Sequence, residues 1–348
     1  MTITTATPPA FDPRLHGARP TDGSPLIVNF GGGVDSTAML IKMADLGIVP
    51  DVIVFADTGA ERPETLAWVE TFSAWVVAHG MPAVDIVSRH GTGRQYGPAS
   101  LVYRNDENGK RVRVPEGYTS LTDNCLANET LPSEAFNMGS CSTKWKQEPM
   151  DKWLASHPII LDAKARGLVP VKAIGLDAGP IDSKRKIYSF ADAFDGSPAC
   201  KIMAKESAWP GVTVTEQRAG KKPLEHKLVR AWYALREFDM DREECERVIR
   251  AAGLPVPLKS SCFFCPNMKE HEVRALAVDH PELFSQAVEM EDRARNGKHG
   301  LKKIDGLWRK GSAKHNLPGS WRTWAEQHAD PAVRATVQAE SFAGVVIR

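Results

Sequence analysis

At 348 residues the chain is long enough for one large or two smaller domains with buried cores. Lysine and arginine total 44 against 43 aspartate and glutamate residues, so the whole-chain charge gives no argument for a nucleic-acid partner. No run approaches the roughly 18 apolar residues of a membrane span, and six cysteines in a chain this long do not read as a disulfide scaffold. The first 24 residues, rich in Thr, Pro, Ala and Gly, lack an apolar signal core and read as a disordered arm. The expectation is a soluble cytoplasmic protein with no membrane partner.

The first apolar run, Pro25-Leu26-Ile27-Val28-Asn29-Phe30, has strand length and meets Gly31-Gly32-Gly33-Val34-Asp35-Ser36-Thr37. Ala38, Leu40, Ile41, Met43 and Leu46 then recur at helical spacing. Strand, glycine turn and helix N-terminus together form an anion cradle. Glycines admit close approach of a ligand to the amides, the first-turn N–H groups are unpaired, and the helix dipole favours negative charge. Ser36 and Thr37 add hydroxyl groups. A Walker loop is excluded because no lysine precedes Ser36, and the dinucleotide fingerprint lacks its third glycine. A glycine-rich turn without a ligand is the alternative.

Asp51–Ala56 reads as a buried parallel strand, Pro63–His79 as a helix and Ala83–Val87 as a third strand. Strand–helix–strand–helix–strand at this spacing predicts an α/β fold, a doubly wound and mostly parallel sheet. Ligands of such sheets bind outside the carboxyl ends of the strands, where both Gly31–Thr37 and Asp57-Thr58-Gly59 fall. The two motifs are expected to face one site. Residues 90 to 140 break the rhythm and read as an inserted hairpin or lid with a turn at Asn108-Gly109. Val169–Ile174 is a further strand, ending in Gly175. Helices are expected from Asp241, a good N-cap, to Gly253, and over Glu270–Asp279 and Pro281–Arg295. In the tail, Trp308, Trp321 and Trp324 stand among basic residues. They are either core residues or a stacking surface for single-stranded nucleic acid. The domains expected are the arm over 1–24, a nucleotide-binding α/β domain over 25–260 with its insertion at about 90–140, and a C-terminal cysteine-containing helical region over 261–348.

Cys262-Phe263-Phe264-Cys265 is a C-x-x-C, a spacing used by metal sites and redox dithiols alike. Cys125 and Cys141 can complete four thiolate ligands for Zn2+ or a 4Fe-4S cluster, and the spacing does not choose between them. Cys125 is alternatively a small buried hydrophobe. Cys200 and Cys245 stand alone and read as structural.

Gly31–Thr37 resembles the S-G-G-x-D-S loop of the PP-loop ATP pyrophosphatase superfamily, with Gly31 in place of the first serine. Asp57-Thr58-Gly59-Ala60-Glu61-Arg62-Pro63-Glu64-Thr65 is similar to the D-T-G-x-x-x-P-E-T segment of its phosphoadenosine phosphosulfate (PAPS) reductase-like branch. Gly175-Leu176-Asp177-Ala178-Gly179-Pro180-Ile181-Asp182-Ser183-Lys184-Arg185 resembles that branch's G-[IL]-R-A-x-E-S-x-x-R loop, with Asp177 where arginine is usual. The resemblance, over about residues 25 to 275, implies an adenine nucleotide alpha hydrolase-like fold. It also implies an adenine nucleotide, ATP or a PAPS-like one, bound with Mg2+ at Gly31, Gly32, Gly33, Asp35, Ser36, Thr37, Asp57, Thr58, Gly59, Gly175, Lys184 and Arg185. Asp35 and Ser36 are the catalytic candidates. The activity implied is adenylation of an acceptor with pyrophosphate release, in sulfur transfer or nucleic-acid modification, with a nucleic-acid substrate and a sulfur-donor protein as partners. A sulfonucleotide reductase is the first alternative, but the E-C-G-x-H end of that family is missing and no cysteine follows Cys265. A non-catalytic nucleotide- or nucleic-acid-binding metal protein is the second.

Overall fold

Parallel strands covered on both faces need apolar side chains on both, and the observed strands carry them. The computed structural model describes residues 19–89, 91–92, 102–105, 111–114, 120–132, 141–180, 182, 230–298, 300–312, 317–328, 331 and 333–334. In chain order the strands are Leu26–Asn29 (β1), Val52–Asp57 (β2), Val84–Ser88 (β3), Gly91–Thr92 (β4), Val102–Asn105 (β5), Arg111–Val114 (β6), Val171–Ala173 (β7) and Arg230–Trp232 (β8). The α-helices are Val34–Asp45 (α1), Pro63–Ala78 (α2), Leu121–Ala127 (α3), Glu148–Ala155 (α4), Pro158–Ala165 (α5), Ala234–Glu237 (α6), Arg242–Ala251 (α7), Glu270–Asp279 (α8), Pro281–Asn296 (α9) and Trp321–His328 (α10). Ser142–Gln147 forms a π-helical turn ahead of α4.

Five parallel strands lie in the order β3-β2-β1-β7-β8 with helices on both sides, which is an α/β architecture. The short β4 pairs antiparallel with the end of β3. Val28 of β1 stands opposite Ile53 on one side and Ala173 on the other. The order runs outward from β1 in one direction to β3, then restarts on the other side with β7. The boundary between β1 and β7 is therefore a switch point, the place where such sheets open a crevice at their carboxyl ends. No helix among the described residues is long and apolar enough to cross a membrane.

The chain divides into two compact units. The first comprises residues up to Phe55, Pro63–Ile86 and Met150–Ser260; the second comprises Ala56–Arg62, Val87–Pro149 and Ser261–Arg348. In the first, Val28, Met39, Leu40, Ile53, Phe55, Phe72, Trp232 and Ile249 pack into one core. Each fully buried large apolar side chain contributes about 1.5–3 kcal/mol relative to exposure. Phe72 stacks on Phe30 at 5.2 Å and on Trp68 at 5.6 Å, which seats α2. Cys245 is wholly buried in this core, and burial pushes its thiol pKa well up.

In the second unit Leu121, Phe264, Phe284, Val288, Trp321 and Trp324 form a separate core. Trp321 and Trp324 are fully buried and take the core alternative, neither ring having a face free for a base, and Trp308 is half-buried against the same core. β5 and β6 pair antiparallel, Asn105 opposite Arg111. The expected Asn108-Gly109 turn, the remainder of the expected insertion at 93–101, 115–119 and 133–140, residues 1–18 of the arm, and Cys200 lie outside the described residues.

Gly59 is fixed by packing. Its φ is +67°, and a Cβ there would overlap Ser120 Cβ and stand 3.2 Å from Ser120 Cα. Gly59→Ala is expected to destabilise the second unit by about 2–4 kcal/mol through left-handed strain and overpacking. Chemical denaturation in the absence of any ligand checks this; an unchanged midpoint would contradict it.

Candidate functional site

β1 delivers the chain to the switch point, and the three glycines turn it into α1. Gly32 has φ +71° and lies against Phe55, Thr65 and Val69, where a Cβ would stand 3.3–3.4 Å from those side chains. Gly33 is the N-cap of α1 and has no side chain to cap it. The Ser36 hydroxyl accepts from the Gly31 N–H at 3.1 Å and donates to the Gly33 carbonyl at 3.3 Å, holding the loop closed on itself. Thr37 is fully buried, and its hydroxyl accepts from Trp68 Nε1 at 3.3 Å. Thr37 therefore anchors the helix to α2. The first-turn amides of α1 thus have no side-chain cap, an arrangement that can receive an anion.

β7 ends beside β1, and Gly175 follows it directly. A Cβ at Gly175 would stand 3.1 Å from the Ser36 amide nitrogen, so only glycine lets this backbone lie so close to the loop. The chain then turns through Asp177, whose carboxylate accepts from the Gly179 N–H at 2.8 Å, to Asp182, whose carboxylate accepts from the Asp177 N–H at 3.3 Å. Carboxylate oxygens of Asp35, Asp177 and Asp182 lie within 4.8 Å of one another. Arg242, in the first turn of α7, donates to Asp35 Oδ1 at 3.0 Å. Burial raises the Asp35 carboxyl above its ordinary pKa; Arg242 opposes this, and Asp177 and Asp182 reinforce it. Burial likewise raises Asp177, opposed by the Gly179 N–H and reinforced by Asp182. Three hard oxygen donors at a phosphate-type loop fit a magnesium ion, which binds through a few carboxylates while keeping waters and phosphate oxygens. Sequence reasoning singled out Asp35 but not Asp177 or Asp182 as acidic partners. The available signal was two carboxylates in the segment after the strand that pairs with β1.

In the second unit, Asp57 Oδ1 accepts from the Gly59 N–H at 2.7 Å and closes a tight turn. The Thr58 carbonyl accepts from the Leu121 N–H at 2.8 Å, and the Thr58 hydroxyl donates to Glu61 at 3.1 Å. Glu61 forms an isolated antiparallel bridge with Cys262, continued by Phe263 N–H to the Ala60 carbonyl at 2.9 Å. The D-T-G stretch thus braces α3 and the C-x-x-C within one unit. Cys125 and Cys262 are buried, Cys141 and Cys265 half-buried, all in the same core, and no described cysteine is in a disulfide. Burial pushes the Cys125 thiol up to about 12, with Cys141 adding to it. Burial, then Cys265, raises Cys141. Cys262 is raised by its hydrogen bond with Cys265, by burial, and by the Cys265 and Glu61 charges. Without a cation these groups are thiols; a soft or borderline metal removes their protons on binding. The four share one core, but among the described residues no three of their sulfurs lie within 4.8 Å of one another.

Lys146, missed in the sequence, belongs to this cluster. One π-turn after Cys141, it pairs with Glu61 at 2.9 Å. Burial, the largest single influence, lowers its pKa, but Glu61 together with Cys262 and Cys265 outweighs it and the net shift is upward. π-turns recur at functional sites because they aim a side chain that a regular helix would not. Lys184 and Arg185 lie outside the described residues. Gly31–Thr37 and Gly175 belong to the first unit, Asp57–Gly59 and the four cysteines to the second. Compared with protein-family models, with curated proteins and with solved structures, the chain matches none.

Proposed function

We propose that the chain is an ATP-binding enzyme of the PP-loop type that activates an acceptor by adenylation and releases pyrophosphate. The observation that carries this reading is the convergence of Asp35, Asp177 and Asp182 on the uncapped N-terminus of α1 at the β1/β7 switch point. An acceptor oxygen attacks the α-phosphorus of ATP, the bond from that phosphorus to the bridging oxygen breaks, and pyrophosphate leaves with the electron pair. The amides of Val34, Asp35 and Ser36 stabilise charge that grows on the leaving group, a preorganised electrostatic effect. Magnesium, held by the three carboxylates, would add Lewis-acid stabilisation of the same oxygens. A sulfur nucleophile from a donor protein then displaces AMP, which places the enzyme in sulfur transfer or nucleic-acid modification. A metal at Cys125, Cys141, Cys262 and Cys265 belongs to that chemistry.

Asp177 supports adenylation over sulfonucleotide reduction, since a carboxylate at this position repels a sulfate or phosphate that no cation shields. The test is magnesium-dependent pyrophosphate release from ATP in the presence of candidate nucleic-acid acceptors and a sulfur donor. The double substitution Asp35→Ala, Ser36→Ala is expected to abolish ATP binding or turnover while circular dichroism stays that of the parent. Unchanged turnover would sink the phosphate-loop assignment, and tight ATP binding without pyrophosphate release from any acceptor would favour a non-catalytic nucleotide-binding protein.

A further inference from the structure

The glycine loop offers two hydroxyls of its own, and the fold has already engaged both. That of Ser36 is held between the Gly31 N–H and the Gly33 carbonyl, and that of Thr37 accepts from Trp68 Nε1. A further hydroxyl arrives from a distant part of the chain. Beyond α7, Leu254 and Val256 pack against the core of the first unit, and the segment they carry returns to the head of α1 at Ser260. Ser260 Cβ lies 3.9 Å from the point where a Cβ on Gly33 would stand. Both residues belong to the first unit. Ser260 as a whole is half-buried, but its Oγ is closed to solvent and has no hydrogen-bond partner among the described residues.

This position is where a helix keeps its capping oxygen. A serine at the N-cap would accept from an amide of the first turn, but the N-cap here is Gly33, which has no side chain. Ser260 stands beside it and its hydroxyl caps nothing. A buried hydroxyl without a partner is costly, and native structures keep few of them. The first-turn N–H groups have no intrahelical partner either. An O–H and several N–H groups side by side lack the same thing, an acceptor, and the helix dipole favours a negatively charged one. The carboxylates of Asp35, Asp177 and Asp182 narrow the choice, because they disfavour a bare anion and favour one that brings a divalent cation.

We propose that Ser260 is a binding residue for a magnesium-bound pyrophosphate group, its hydroxyl donating to a phosphate oxygen that the first-turn amides of α1 also hold. This rests on the reading of Gly31–Thr37 as a phosphate loop and adds to it a contact that no local motif contains. The hydroxyl serves the leaving pyrophosphate and not the nucleoside, because it stands at the helix end whose amides hold that group.

Ser260→Ala tests this with little risk to the fold, since it removes an oxygen that bonds to nothing in the chain. Without ligand the variant is expected to melt at or above the midpoint of the parent, an unpaired buried hydroxyl having been removed. In calorimetric titrations with magnesium present, its affinity for inorganic pyrophosphate and for ATP is expected to fall by the same factor, about 10–100-fold, the range for a hydrogen bond to a charged group. Ser261→Ala deletes a neighbouring buried Oγ that is likewise without a partner among the described residues, and is expected to leave both affinities unchanged. Parent-like affinity in Ser260→Ala would mean that the hydroxyl holds only water. A lower midpoint without ligand would mean that it already has a partner in the folded chain. Either result overturns the proposal and leaves the phosphate-loop reading standing, as would a loss confined to ATP or one shared by Ser261→Ala. A parent that binds neither pyrophosphate nor ATP would remove that reading itself, and this proposal with it.

Discussion

Asp177→Asn is expected to raise the thermal midpoint of the magnesium-free protein while abolishing magnesium-dependent pyrophosphate release from ATP. The two effects share one cause. Asp35, Asp177 and Asp182 crowd carboxylate oxygens within 4.8 Å, and the Arg242 guanidinium pairs with Asp35. Without a cation the cluster destabilises the fold, which the raised pKa of Asp35 and Asp177 expresses thermodynamically. The sign follows from linkage. A carboxyl whose folded pKa exceeds its unfolded value binds more protons when folded, so stability falls as pH rises through the window between the two values. It is regained on acidification toward the unfolded carboxylate pKa of about 3.9. Asparagine keeps the acceptor for the Gly179 N–H, preserves the turn and deletes one charge. The variant should therefore be more stable near neutrality and show a shallower loss of stability between the carboxylate range and pH 7. Magnesium should reverse the ranking. It binds the folded parent and stabilises it by about 2.7 kcal/mol at a hundredfold excess over its dissociation constant, whereas the variant should gain far less. Calorimetry with and without magnesium reads both arms; a variant melting below the parent without magnesium, or gaining as much from it, would contradict the electrostatic account.

How much of this was legible in the sequence depends on the range over which each feature is encoded. The strands and helices around Leu26–Asn29, Val52–Asp57, Glu270–Asp279 and Pro281–Asn296 sit within two residues of where apolar runs, caps and prolines put them, because those signals are local. Gly31–Thr37 was legible for the same reason: strand, glycine turn and helix N-terminus are contiguous. Asp177 and Asp182 read in the sequence as part of a loop, yet their meeting with Asp35 depends on β7 pairing with β1 some 145 residues earlier, a long-range choice that no local window contains. Trp232 and its strand were likewise not expected, since three residues are too few for a periodic signal. The pairing of Glu61 with Lys146 depends on a π-turn, which shifts Lys146 off the phase that 3.6-residue spacing gives. In the sequence Thr37 and Gly59 point to a ligand; in the structure the side chain of one and the absence of a side chain in the other are taken up by packing.

Glu291→Gln is expected to unfold the second unit locally, a larger effect than most core truncations, although it changes one atom. Glu291 of α9 is fully buried, and its two oxygens tie α9 to Leu307, Ser320 and Trp321. Oε2 accepts from the Leu307 N–H at 2.8 Å and the Trp321 N–H at 2.9 Å, and Oε1 accepts from the Ser320 hydroxyl and from Arg295 at 3.2 Å. Every partner is a donor. An amide NH2 at the Oε2 position strands two backbone N–H groups, and at the Oε1 position it loses the half-exposed Arg295 ion pair and forces the Ser320 hydroxyl to turn and accept. Each stranded group costs about 1–3 kcal/mol, more where charge is involved, and breaking a buried ionic network typically costs about 3–5 kcal/mol. That is a large fraction of the 5–15 kcal/mol that keeps a domain folded. The damage should propagate to the cysteines by a definite route. Glu291 fixes Leu307 and Trp321; Trp308 follows Leu307, packs edge-on against Trp321 at 5.8 Å, and donates through Nε1 to the carbonyl of Met268, three residues beyond Cys265. Loosening this chain frees the turn that carries Cys262 and Cys265. Hydrogen exchange should accordingly lose protection over Pro281–Asn296, Trp321–His328 and the Cys262–Met268 turn, while Leu26–Asn29 and Val34–Asp45 keep theirs. Protection retained across the second unit in Glu291→Gln would show that a single carbonyl oxygen suffices for the knot, and would remove Glu291 as the residue that holds this region together.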